Sequence, residues 1–272
     1  MNIKLKKFLI FAFFGVASII TPQSTQARTK AVIFVFADLL ASARISMVKH
    51  LGWCNSVLNM GAALKSQKVI FEALHNRYGH QQGSVKAYDP QDPHDELPVV
   101  FVEWLLGKTP SDVCREAKDA LKHVDNRQFI YGVLDIIFNP HKMADTFGVQ
   151  SDILKLVKKI NDGPAHPHMI LVANCNDLMY DQLQTMAPGK EVLSNFKNTY
   201  ISGKTKLLVE DPGLYRRIIA EHGYQPSEYL IITSNKYAAH AAKTAGMQVV
   251  VSQNNLYSDG KDHCKKHTLI KR

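Results

Sequence analysis

At 272 residues, 46% of them hydrophobic and with only 11 prolines and 15 glycines, the chain excludes disorder as its main state. It has material for one large domain, or for a core that carries an insertion. Its 33 basic residues against 24 acidic ones give a formal charge of +9, which reads as ordinary solvated surface and not as specific nucleic-acid recognition, although such a surface also suits anionic lipid or polysaccharide.

The first 27 residues stand apart. Lys4, Lys6 and Lys7 make a positive start, Phe8 to Ile20 is an apolar run, and Thr25-Gln26-Ala27 is a small-x-small cleavage site. This pattern predicts a secretory signal peptide over 1–27 and a mature chain that begins at Arg28. As a helix the apolar run would span about 20 Å, short of the ~30 Å hydrocarbon core, so an uncleaved anchor is the weaker reading. Cleavage removes three lysines and no acid, which lowers the charge from +9 to +6. The expected address is periplasmic or secreted, with no transmembrane segment in the mature chain. In an oxidising compartment Cys54, Cys114, Cys175 and Cys264 allow three full pairings, of which Cys54 with Cys114 is favoured by their shared region. Cys175 reads as a packed thiol.

Lys30 to Leu40, KAVIFVFADLL, is an unbroken β-branched and aromatic run that stops at Asp38. Such a run predicts a strand buried on both faces, in the middle of a parallel sheet. Residues 45–148 then show helical periods and little strand alternation. Helices are expected over Ser42 to Asn59, over Ser66 to Tyr78 and from Thr109-Pro110 to His123, with a loop over Gly79 to Pro98 and apolar runs at Val99 to Leu106 and Phe129 to Phe138. The region reads as a helical insertion.

Alternation follows. Helices are expected at Ser151 to Ile160, with Ser151 as N-cap, at Asp177 to Met186, at Pro212 to His222 and at Lys236 to Ala245, capped by Ser234 or Asn235. Strands are expected at Met169 to Ala173, Asn198 to Ser202, Tyr229 to Thr233 and Met247 to Ser252. Strands alternating with helices mean βαβ units, so Val32 to Phe36, Met169 to Ala173 and Tyr229 to Ile232 should be parallel neighbours. The core is then 28–44 with 149–256, and 257–272 is a basic tail.

Four stretches carry a resemblance: Val35-Phe36-Ala37, Leu171-Val172-Ala173-Asn174, Val209-Glu210-Asp211-Pro212 and Ile231-Ile232-Thr233-Ser234-Asn235. In order and setting they resemble the four motifs of the haloacid-dehalogenase-like (HAD) hydrolases. The resemblance implies an α/β fold, a HAD-like Rossmannoid parallel sheet flanked by helices, with a helical cap inserted after the first strand. In that family an Asp at the end of the first strand is the nucleophile, and an Asp two residues later is a general acid/base. A Ser or Thr ends the second strand, a Lys offsets charge in the third motif, and acids in the fourth hold magnesium. Here Val35 and Ala37 stand for the two acids, Ala173 for the hydroxyl, Val209 for the lysine, and Thr233 and Ser234 for the metal-binding acids. Phosphoryl transfer needs that carboxylate, ammonium and metal set, so the resemblance carries the scaffold without the chemistry.

Asp38 is the only acid near the first strand, and no shift of register restores the acid pair. The reading is an exported, catalytically degenerate HAD-like protein, a binding or interaction module. The alternative is a phosphatase-like hydrolase rearranged around Asp38, Asn174 and Asn176. The cleft candidates are Ala37, Asp38, Asn174, Asn176, Lys204, Lys206, Ser234 and Asn235, with Lys204 and Lys206 able to replace the missing lysine in space or to lie in a solvated loop. Ser234 and Asn235 sit at a helix N-terminus, which favours anions or simply needs a cap. The expected partner is a small anionic ligand or an envelope protein. No cofactor is expected, with magnesium entering only if the hydrolase alternative holds. His166 and His168, and His263, Cys264 and His267, lack further ligands for a metal. No Gly-x-Ser-x-Gly, phosphate-binding loop or dinucleotide fingerprint occurs.

Overall fold

The computed structural model describes residues 28–41, 99–124 and 127–251. Its centre is a five-stranded parallel sheet in the order β5-β4-β1-β6-β7. β1 (Ala31–Val35) lies between β4 (His168–Ala173) and β6 (Tyr229–Thr233), with Val32 opposite Met169 on one side and Leu230 on the other. β5 (Asn198–Ile201) and β7 (Gln248–Val251) flank them, also parallel. All five residues of β1 are buried, as an uncharged run between two neighbours requires. The expected parallel arrangement of these three strands is what the chain adopts, except that Phe36 has left the strand for the first turn of α1 (Phe36–Leu39).

Strand alternation divides the core into two apolar layers. Ala31, Ile33 and Val35 face one layer, shared with α10 (Pro212–His222) and α11 (Lys236–Thr244). Val32, Phe34 and Phe36 face the other, which holds the inserted helices. After α1 the chain forms β2 (Leu40–Ala41), which pairs antiparallel with β3 (Gly148–Val149), and Gln150 N–H donates to Leu39 O at 2.8 Å. This ribbon is where the insertion leaves and rejoins the sheet. Its described part is helical: α2 (Val99–Leu105), α3 (Pro110–Ala120), α4 (Arg127–Ile137) and α5 (Pro140–Asp145). The helices expected at Ser42 to Asn59 and Ser66 to Tyr78, the leader over 1–27 and the tail over 257–272 lie outside the described residues.

The remaining helices are α6 (Ser151–Asn161), α7 (Asp177–Thr185), α8 (Ala187–Leu193) and the short turn α9 (Ser202–Thr205). Ser151 is not the cap of α6; Gln150 takes that place, and no side chain bonds there. Asp211 caps α10 by accepting from Gly213 N–H, and Gly223 ends it in a left-handed conformation, as Asp-Pro and Gly at those places predict. Ser202, expected in a strand, opens α9 instead.

Gly107 N–H already donates to Trp104 O at 3.0 Å, and the core supplies further donors to the carbonyls at and just beyond the end of α2. Asn176 Nδ2 donates to Trp104 O at 2.8 Å and to Lys108 O at 3.3 Å. Ser202 Oγ donates to Leu105 O at 2.7 Å, and Lys206 Nζ to Leu106 O at 2.6 Å. Two glycines permit the approach. Gly107 has φ +100, and a Cβ there would lie 3.1 Å from Gly203 O; a Cβ on Gly203 would lie 2.5 Å from Asp177 N. The end of α2 is therefore docked on the turns that follow β4 and β5.

Candidate functional site

In an open parallel sheet, ligands meet the chain beyond the carboxyl ends of the strands. Here those ends are Val35 with Ala37 and Asp38 (β1), Ala173 with Asn174 (β4) and Thr233 with Ser234 and Asn235 (β6). The segment Val209-Glu210-Asp211, just before α10, joins them.

Val35 is 2% exposed and belongs to the same apolar layer as Val209, Leu214, Tyr215 and Ala238. The two places where the resemblance implies a nucleophile and a lysine are both valines of one hydrophobic cluster. Ala37 is exposed on α1, with a methyl side chain that can neither move a proton nor ligate. Asp38 is 7% exposed and turns back to β6, where it accepts from Ser234 N–H at 3.1 Å and from Ser234 Oγ–H.

The second carboxylate of this edge is Glu210. It accepts from Asn174 Nδ2 at 2.8 Å and from Asn235 Nδ2 at 3.0 Å. Asn174 Oδ1 accepts from Val209 N–H at 2.9 Å, so Asn174 ties the end of β4 to the loop that carries Glu210. Asn235 Oδ1 caps α11 by accepting from Tyr237 N–H and Ala238 N–H. Thr233 Oγ1 accepts from Asn235 N–H at 3.0 Å. Asp38 and Glu210 thus hang from consecutive residues, Ser234 and Asn235. Beneath them Tyr215 donates to Val209 O at 2.8 Å. Burial holds the Tyr215 phenol well above its ordinary range, and Glu210 and Asp38 push it further in the same direction.

Of the candidates read from sequence, Asp38, Asn174, Ser234 and Asn235 join this network, and Ala37 lies at its edge. Asn176 and Lys206 do not: both face the end of α2. Lys204 lies 3.6 Å from Asp181 and over the ring of Tyr180, 5.2 Å from its centroid. Neither lysine replaces the one absent at Val209. Lys206 is exposed in the bend that ends α9, at φ 61. Glu210 was missed as a candidate. Its signal was in the third motif, where an ionisable side chain stands between Val209 and Asp211 in the turn that opens α10.

Magnesium, which the fold family implies, does not fit these residues. Ser234 Oγ donates to Asp38, Thr233 Oγ1 already accepts a backbone N–H, and the Glu210 oxygens each take an amide proton. The remaining positions are hydrocarbon. Among the described residues no group of three or more His, Cys, Asp or Glu could hold a metal ion. His166 and His168 do not converge: His166 is exposed with Nδ1 3.3 Å from Asn161 O, and His168 is the first residue of β4, bonded to Asn198. Cys114 carries a free thiol 3.5 Å from Asp135 Oδ1, not a bridge; burial pushes it up to about 11. Cys54, its favoured partner, lies outside the described residues. Cys175 is a buried thiol, as expected. Among the described residues no helix is long and apolar enough to cross a membrane.

No protein-family model matches the sequence. No curated protein matches it either. Solved structures do match in fold. A HAD family enzyme from Bacteroides thetaiotaomicron, solved as a magnesium complex, is 13% identical, with 85% of this chain and 96% of that chain covered and a TM-score of 0.52. A dehalogenase is 14% identical over 86% of this chain and 88% of that one, with a TM-score of 0.53. A second dehalogenase structure, an intermediate complex, is 14% identical over 83% and 85%, with a TM-score of 0.51. At such identities the likeness is one of fold, and it extends over nearly the whole of each enzyme.

Proposed function

We propose that this chain, built on the haloacid-dehalogenase-like fold that its HAD family and dehalogenase neighbours share, is an exported, catalytically degenerate member that works as a binding or interaction module. The observation that carries this is the replacement of a charged reaction centre by a self-satisfied one. Val35 and Val209 share an apolar layer, while Asp38 and Glu210 are held by Ser234, Asn174 and Asn235. A nucleophile must be positioned and unencumbered, and loss of one member of a concerted site can cost on the order of 10⁶ in turnover. The export part of the reading rests on residues 1–27. The occupant is a small anionic ligand or an envelope protein. Lys204 and Lys206, the cations that would have received an anion, are engaged elsewhere, which favours the envelope protein.

The reading predicts no magnesium-dependent hydrolysis of a generic aryl phosphate by the purified mature chain above a buffer blank. The assay is run beside Asp38→Asn. Turnover that disappears in the variant would establish the hydrolase alternative, with Asp38 as nucleophile.

A further inference from the structure

At the opposite, amino-terminal edge of the sheet, two histidines meet. His168 opens β4 and His222 closes α10, with ring centroids 4.5 Å apart in an edge-to-face contact. His168 Nε2 is 2.6 Å from Asn198 Oδ1 on β5; since that oxygen only accepts, Nε2 carries the proton. Tyr200 on β5 donates to Glu221 Oε2 at 2.6 Å, so its oxygen accepts from His222 Nε2–H at 3.0 Å. Each imidazole is thereby fixed as the Nε2–H tautomer, which leaves Nδ1 of His222 as the atom that would take a second proton, with the His168 ring in contact.

The groups facing the pair come from several elements. On α10 itself Glu221 pairs with Arg217 at 2.7 Å. Tyr200 faces it from β5, and Tyr224 stacks on His222 with ring planes 16° apart. Tyr229 of β6 packs on Tyr224, and Lys30 lies over the Tyr224 ring while pairing with Glu228 at 2.9 Å. Among the described residues Glu221 is the anion bonded into the cluster, through Tyr200. Arg217 first, then Tyr200, hold it below its ordinary range, so it stays a carboxylate through mild acid.

α10 links this cluster to the candidate site. Its eleven residues make a rod about 16 Å long. Glu210 and the Asp211 cap stand at one end and His222 at the other, and Leu214, Tyr215 and Ile218 are buried between them.

We infer that the His168–His222 pair is a proton-operated release for α10: in mild acid the pair parts, α10 loosens, and Glu210 loses its fixed place between Asn174 and Asn235. The consequence for the cleft rests on the functional reading above; the loosening of α10 does not. Burial first, and His168 second, hold His222 below its ordinary range against the opposing pull of Glu221. A group whose folded value is lowered binds fewer protons folded than unfolded. Its contribution is therefore complete above the unfolded value near 6.5 and is lost as pH falls below it.

The test is amide hydrogen exchange read by mass spectrometry, with rates corrected for the intrinsic pH dependence. In the wild-type chain, protection of the peptide over 208–223 should fall at least tenfold between pH 7 and pH 5, while that over β1 stays within threefold. His222→Gln keeps an N–H for Tyr200, and His168→Gln keeps one for Asn198; neither titrates. Either variant that folds should lose most of the drop. A wild-type chain with no drop, or an equal drop in both variants, overturns the inference. Exchange does not depend on turnover or binding, so its failure is distinct from failure of the functional reading.

Discussion

Val35→Asp, the substitution that restores the first acid implied by the resemblance, is expected to destabilise the chain by about 3–5 kcal/mol at pH 7 without creating a catalyst. Val35 is 2% exposed, and the apolar layer around it includes Val209, Tyr215 and Ala238. A carboxylate placed there is desolvated, and Val209 stands in the same apolar layer where the resemblance implies a lysine. The new acid should therefore keep its proton well above the ordinary carboxylate range. Because the folded-state value is raised, the penalty grows as pH rises above the unfolded value near 3.9 and shrinks in acid. Urea unfolding at pH 7 and pH 4.5, with Val35→Ala as a control for lost volume, separates charge from cavity. Adding Val209→Lys should recover at least ~1 kcal/mol of the loss at pH 7, since neighbouring sites couple. A Val35→Asp chain as stable as Val35→Ala would show that the end of β1 is not the closed apolar site described.

Asn176→Ala should lose about 2–4 kcal/mol, although the residue touches no part of the carboxyl-edge network. The side chain is fully buried. Its oxygen caps α7 through Leu178 N–H at 3.0 Å, and its amide serves the carbonyls of Trp104 and Lys108. Loss of a cap costs about 1 kcal/mol, and losing the amide's bonds to Trp104 O, which keeps Gly107 N–H, and to Lys108 O adds about 0.5–1.5 kcal/mol each. Asn176→Asp keeps the cap but sets a carboxylate oxygen against the carbonyls, so it should be the worse variant at pH 7. Urea midpoints read both. A change within ~0.5 kcal/mol for Asn176→Ala would mean that the docking of α2 does not depend on this amide.

These two residues show what could and could not be read from the chain. The sheet was legible because β1, β4 and β6 are short, β-branched apolar runs set between helical segments, a pattern that strands covered on both faces retain. α10 and α11 were legible because their caps are local: Asp211, Gly223 and Asn235 act within a few positions. Asn176 looked like a cleft residue because it follows a strand of the right kind. Its true partners are 68 and 72 positions earlier, and no local pattern reports a bond of that separation. Lys206 misled for the same reason, its acceptor Leu106 O lying 100 positions away. Glu210 was passed over because the third motif was weighed for its missing lysine. That Glu210 bridges Asn174 and Asn235 becomes visible only when the ends of β4 and β6 are set side by side. The short helices α1, α5, α8 and α9 carry four to seven residues each, too few for periodicity to declare them.

The carboxyl edge bonds its own polar groups to one another, and among the described residues no three metal-ligating side chains converge there. Titration of magnesium into the purified mature chain, followed by calorimetry and by the amide resonances of Ser234 and Asn235, tests this arrangement most directly. No saturable heat and no shift of either resonance are expected up to 10 mM magnesium, a level roughly tenfold above a millimolar site. Saturable one-to-one binding that moves both resonances and is abolished by Asp38→Asn would contradict it.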